Sequence, residues 1–214
     1  MYIHQWFQHL SIRYKLTVGF SATVFFTIII SITGYWSMHH IHRNVENIFS
    51  RKMPAMDYLI EADRDLWQLI SAERTLLFTD NKSEKFIKFI DFYNENLRQS
   101  DERWKKYGKL ADTEQEYAII RKYDAARKEW KEISRKVVNL CISTPVEKRA
   151  SAIELSVGEA DKKFEEMRDH VDQLTDIVLA GAEQANRNSA ATYRNTVVIL
   201  FAVTAVVIFI GLLF

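Results

Sequence analysis

Thr196 to Phe214 contains no charged residue and is apolar on every side. Such a segment suits a helix surrounded by lipid, where no water is present to satisfy a polar group. A second run of the same kind, Leu16 to Trp36, stands near the other end of the chain. At roughly 20 residues each, both are long enough to span a bilayer. A cleavable leader is the competing reading of the first run. It is long for a leader's apolar stretch, however, and no small-x-small site follows Gly34-Tyr35-Trp36. Two spans oblige whatever lies between them to leave the membrane on one side and re-enter from that same side.

The flanks give the orientation. Residues 1–15 are basic and aromatic, and Ile3, Trp6, Phe7, Leu10 and Tyr14 would share one side of a helix lying at a membrane surface. Arg13 and Lys15 stand just before the first run, which places the N-terminus in the cytoplasm. The chain then reads as a cytoplasmic segment 1–15, a span at 16–36, a periplasmic domain at 37–194 and a second span at 195–214. The protein is expected in the inner (plasma) membrane.

The domain between the spans carries helical periodicity throughout and no strand pattern. In residues 37–79 the step of three or four runs through Ile41, Val45, Ile48, Met56, Leu59, Leu66, Ile70 and Leu77, with Pro54 marking a kink or a restart. Asn81 and Glu84 resemble a capping pair for a second helix reaching about Tyr107, with Gly108 at its end. Thr113 and Glu116 form a capping box for a third. Thr144, Pro145 and Glu147 suggest the start of a fourth, whose seam runs through Val146, Ala150, Ile153, Val157, Ala160, Phe164, Met167, Val171, Leu174, Val178, Gly181 and Ala185. That rod continues straight into the second apolar run. The fold class is all-α, an antiparallel four-helix bundle flanked by two transmembrane helices. The outer helices would be roughly 65–70 Å long and the middle two about 40–45 Å. Two helices alone bury little core over the difference, so a second copy is expected to complete a four-helix stalk, giving a homodimer.

Composition narrows the chemistry. Twenty-nine lysines and arginines against 28 acidic residues leave a net charge of +1, no footprint for nucleic acid. Six glycines supply no phosphate-cradling loop or nucleophile elbow. Cys141, the single cysteine, excludes an intramolecular disulfide framework and a Cys-based metal cage within one chain. It is either a small apolar residue near a helix end or a thiol able to join two chains. Neither a catalytic constellation nor a cofactor motif is present, and a non-enzymatic protein is expected. His39, His40 and His42 are weak candidates for a metal or proton site, against plain interfacial polar residues. Asp63 and Arg74 share an angular position on the first helix, with Arg64, Trp67, Gln68 and Ser71 nearby. They read either as a small-molecule pocket in which arginine holds a carboxylate, or as an ion pair setting helix register. Arg127 beside Trp130, and Arg103 beside Trp104, read as structural stacking.

Several stretches resemble bacterial methyl-accepting chemotaxis proteins. These are Leu10-Ser11-Ile12-Arg13-Tyr14-Lys15-Leu16 with Gly19-Phe20, Pro54 followed by residues 61–68 and 72–77, and Arg149-Ala150 followed by residues 155–159. The resemblance implies a homodimeric receptor whose periplasmic bundle binds a small molecule or a ligand-loaded binding protein. It further implies that a small displacement of the last helix crosses the membrane, toward a cytoplasmic signalling domain or partner beyond residue 214. By position it makes Arg64 and Arg74 the ligand-holding arginines, with Thr144, Ser151 and Ser156 the polar groups of the fourth helix. Two other readings stay open: the input half of a sensor histidine kinase or cyclase, and a short membrane-anchored modulator that heterodimerises with receptors.

Overall fold

A computed structural model of the chain describes residues 11–213, and every regular element among them is helical. In chain order these are α1 (Ile12–Asn47), a π-helical turn (Ile48–Lys52), α2 (Met53–Leu76), α3 (Glu84–Gly108) and α4 (Glu114–Ser143). A 3-10 turn (Val146–Lys148), α5 (Ala150–Leu155), a second π-helical turn (Ser156–Ala160) and α6 (Asp161–Leu213) follow. Residues divide into two compact units, 48–182 and the remainder. The expected surface helix containing Ile3, Trp6, Phe7 and Leu10 lies outside the described residues.

The unit holding α1 and the end of α6 has the chemistry of lipid. Phe20, Phe25, Phe201 and Phe209 all point outward. The hydroxyls of α1 turn back on their own helix: Thr17 donates to the Arg13 carbonyl at 2.9 Å, Thr27 to that of Thr23 at 2.8 Å and Ser31 to that of Thr27 at 2.9 Å. A helix facing hydrocarbon has to satisfy its polar groups internally in this way. Two helical stretches are long and apolar enough to cross a membrane, one near each end of the chain. The Ser37 and Thr196 hydroxyls meet between them at 2.7 Å.

The second unit is the bundle. Leu59, Leu66, Leu69, Ile70 and Leu76 of α2 are buried against Tyr93 and Leu97 of α3, Tyr123, Trp130 and Val137 of α4, and Phe164, Met167, Val171, Leu174 and Val178 of α6. Each large side chain so buried contributes about 1.5–3 kcal/mol relative to exposure. Short connections make the neighbours antiparallel.

Local chemistry sets where the helices begin. Thr113 and Glu116 form the reciprocal capping box expected of them. Before α3 the cap is Ser83, which accepts from the Phe86 amide, while the expected Asn81 instead donates to the Ile142 carbonyl at 3.0 Å. Gly108 belongs to the last turn of α3, and Lys109 caps it. The fourth helix does not start at Thr144. That residue is extended and ends α4, and regular helix resumes only at Ala150. Pro54 enters α2 in its first turn, directly after a π-helical turn. That turn aims Lys52 inward, where its Nζ meets Asp112 at 3.3 Å, while Arg51 reaches the same carboxylate at 2.7 Å. A Cβ on Gly181 would meet the Lys52 side chain at 3.2 Å, so a small residue lets this lysine lie flat.

The second π-helical turn shifts the expected seam. Val157, on the seam that the sequence pattern predicts, is 59% exposed, and Ser156 takes the interior place. The buried line runs Arg149, Ala152, Ser156, Ala160 and then Phe164. A π turn holds one residue more than the α-helical period, so the sequence pattern before Ala160 is one residue out of phase with the pattern after it.

Arg149 fastens one end of the bundle. It is 1% exposed, and among the described residues it pairs with no carboxylate. Its guanidinium donates to the carbonyls of Leu76 (2.6 Å), Thr79 (2.7 Å), Cys141 (2.7 Å) and Thr144 (2.8 Å), and it lies over the Phe86 ring. Leu76 and Cys141 belong to the trailing ends of α2 and α4, where unpaired carbonyls and the helix dipoles favour a cation, and Thr79 and Thr144 lie in the connections that follow them. Replacing it with methionine should leave those carbonyls unpaired and cost on the order of 3 kcal/mol. Urea unfolding of the purified full chain would read this as a lower midpoint. An unchanged midpoint would refute the clamp.

Candidate functional site

Helical spacing brings Trp67, Ser71 and Arg74 to one side of α2, where with Thr75 and Phe78 they line an open groove of about 530 Å³. Arg74 forms an ion pair with Asp161, the first residue of α6. Its Nε is buried with no hydrogen-bond partner. The side chain as a whole is 39% exposed and lines the groove with a single acid partner, so the guanidinium is equipped to take a further oxygen acceptor there.

Trp67 is the fixed wall of this region. Its ring stands edge-on to Phe164 at 5.2 Å, and the Arg168 guanidinium lies 4.8 Å from its centroid. Arg168 is itself held by Asp63 at 2.7 Å, and that hydrogen bond raises the guanidinium pKa above its ordinary value. Asp63 and Arg74 therefore do not pair with each other; each reaches α6.

The other candidates are dispersed. Arg64 is half exposed and turns to Asp65 at 3.2 Å and Glu61 at 3.7 Å. Gln68 is half-buried and Ser151 exposed, outside the groove lining. Thr144 gives its carbonyl to Arg149. Ser156 is inside the bundle, fully buried. His39 and His40 are exposed and rest on Tyr35 and Trp36, one turn earlier, and His42 is exposed as well. Among the described residues no group of three His, Cys, Asp or Glu is placed to hold a metal ion. Arg127 stacks on Tyr123 rather than Trp130, and donates to Asp101 and to the Tyr123 and Ser100 hydroxyls. Arg103 turns away from Trp104 to Glu61 at 2.7 Å and Asp65 at 3.0 Å.

Sequence reasoning missed the interior carboxylate, Glu73. It is 0% exposed and accepts from Ser134 of α4 at 2.5 Å and from Ser156 at 2.7 Å. The Tyr93 hydroxyl of α3 completes the chain by donating to Ser134 Oγ at 2.8 Å. All four helices of the bundle thus meet at one acid. Burial pushes the Glu73 carboxyl above its ordinary 4.5, and the two serine hydrogen bonds and Arg74 only partly oppose this. A signal was available: Leu66, Ile70, Glu73 and Leu77 follow the 4-3-4 step of the buried face, so an acid stood on an otherwise apolar line.

The layout is a helical bundle with an open groove, together with two helices long and apolar enough to cross a membrane. Residues 9–193 match the family model described as a four helix bundle sensory module for signal transduction. The chain belongs to this family, the sensory module of chemoreceptor-type proteins. A comparison with curated proteins finds no match.

Because the folded-state pKa of Glu73 is raised, its contribution to stability is fully present below the ordinary carboxylate value and is lost as pH rises through the folded value. Glu73→Gln, which keeps a hydrogen-bonding group without the charge, is expected to unfold at higher urea than the parent in neutral buffer. The difference should shrink in acid. Equal midpoints in neutral buffer would contradict the assignment.

Proposed function

We propose that this chain is the sensor-and-membrane portion of a chemotaxis receptor, and that its bundle, residues 37–194, faces the periplasm and takes up a small carboxylate-bearing molecule in the Trp67–Ser71–Arg74 groove. The observation that carries the reading is the Arg74 side chain, which lines this groove, is 39% exposed and has one carboxylate partner, Asp161. Asp63, through Arg168, would hold Trp67 as a flat apolar wall beside the ligand. Arg64, Gln68, Thr144 and Ser151 would contribute from the surroundings or from a second copy of the chain, whereas Ser156 is buried against Glu73 and would not touch the ligand. Phe78, 70% exposed at the groove, favours burial against that second copy, since a large apolar side chain left in water gives up most of its hydrophobic stabilisation. No bond is made or broken in this role. Ligand, or a binding protein carrying it, would act by displacing the last helix, at segment 195–214, relative to the membrane. The N-terminus would lie in the cytoplasm, with the inner membrane crossed at 16–36 and 195–214.

Calorimetric titration of the full chain in nanodiscs with amino acids and organic acids tests this. A cognate ligand at one hundred times its Kd should also stabilise the fold by about 2.7 kcal/mol. Arg74→Ala removes a half-exposed ion pair and should cost less than about 1 kcal/mol of stability while abolishing the binding. Binding retained in that variant would place the site elsewhere.

A further inference from the structure

We propose that Glu73 is a proton-binding site through which the bundle reads the acidity around it, because this one buried acid joins all four helices and holds Ser156, the residue that opens the second π-helical turn. This goes beyond the small-ligand reading and does not depend on it.

An ionised carboxylate only accepts hydrogen bonds, and here its two oxygens are served by separate serines, Ser134 on Oε2 and Ser156 on Oε1. A protonated Glu73 carries one donor. That O–H must find an acceptor, and a serine receiving it has to turn its own hydrogen elsewhere. While the carboxylate is ionised Ser134 Oγ accepts from Tyr93, so a proton delivered to Ser134 would oblige the Tyr93 hydroxyl to reverse as well. Ser156 Oγ makes no second hydrogen bond among the described residues, so it can turn without disturbing another side chain. The five residues Ser156–Ala160 form the π-helical turn, and α6 begins directly after it, at Asp161. Proton uptake thus acts on the place where the fourth helix departs from regular geometry.

The groups around Glu73 leave it as the one that titrates. Arg74, on its own helix, stays charged. From α3, Tyr93 is pushed by burial to about 12. From α4, Ser134 does not titrate, and burial lifts the Cys141 thiol to about 11, with Arg149 pulling it back. Arg127 and Arg135, also on α4, act on Tyr93 and stay charged. From the π-helical turn comes Ser156, which has no charge. Tyr93 and Cys141 are neutral, and the arginines unchanging, wherever a carboxyl raised above 4.5 gains its proton.

The test uses the full chain in nanodiscs with 13C-labelled glutamate carboxyls, followed by NMR from about pH 4 to about pH 8. One carboxyl should titrate with a midpoint above 4.5, and its signal should be missing from Glu73→Gln. Hydrogen exchange at Ser156–Ala160, corrected for the intrinsic rate, should change with that same midpoint. The change should be lost in both Glu73→Gln and Ser156→Ala. The parent titration and Ser156→Ala carry the test should Glu73→Gln not fold. The proposal is overturned if every glutamate titrates at or below the ordinary value, if protection of the turn is independent of pH, or if Ser156→Ala responds as the parent does.

Discussion

Arg149 is the contact on which the arrangement of the bundle rests. One side chain closes the trailing ends of α2 and α4 by donating to their last carbonyls, and it does so from the residue immediately before α5. A buried arginine without a carboxylate is costly unless every N–H finds an acceptor, and here helix-end carbonyls supply them. The two connections at 77–83 and 144–149 are thereby drawn together. Leu76, Leu77, Phe86 and Cys141 are buried in the core, and the guanidinium lies over the Phe86 ring.

From this fixed end the polar framework continues inward rather than outward. Glu73 lies one helical turn before Leu77 and collects Ser134, Tyr93 and Ser156. The groove lies on the adjacent face of the same helix, and Arg74, next in sequence to Glu73, links that face to the beginning of α6. Residues 73 and 74 thus present an acid to the interior and a base to the groove. This places the fourth helix under two influences, one through Ser156 and the other through Asp161, at either end of the second π-helical turn.

The periodic parts of this architecture were legible in the sequence. The two long apolar helical stretches are visible from the absence of charge, and the α4 cap is visible because Thr113 and Glu116 stand at the required spacing. The seam from Ala160 to Val178 follows from the repeat alone. What escaped were single-residue departures from period. A π-helical turn leaves no composition mark, so Val157 looked as good a core residue as Ser156. The role of Arg149 was not visible, because nothing in a linear sequence tells which carbonyls will converge on it. The groove was half visible: Trp67, Ser71 and Arg74 could be placed on one face, but their partners Asp161, Phe164 and Arg168 lie far along the chain. Ser156 was singled out for its polarity, and its polarity is used, though toward Glu73 in the interior.

The chain belongs to the sensory-module family, and the displacement proposed for the last helix requires that helix to be continuous. α6 extends from Asp161 to Leu213 with no break in its helical pattern around Asn188 or Asn195. Residue-resolved hydrogen exchange on the full chain in nanodiscs tests this most directly. Slow exchange through Ala182–Thr196, on a par with the turns on either side, is the expected result. A rapidly exchanging stretch there would mean that the bundle and the apolar segment are joined by a hinge, and a displacement started at Ser156 or Asp161 would end before it reached the membrane.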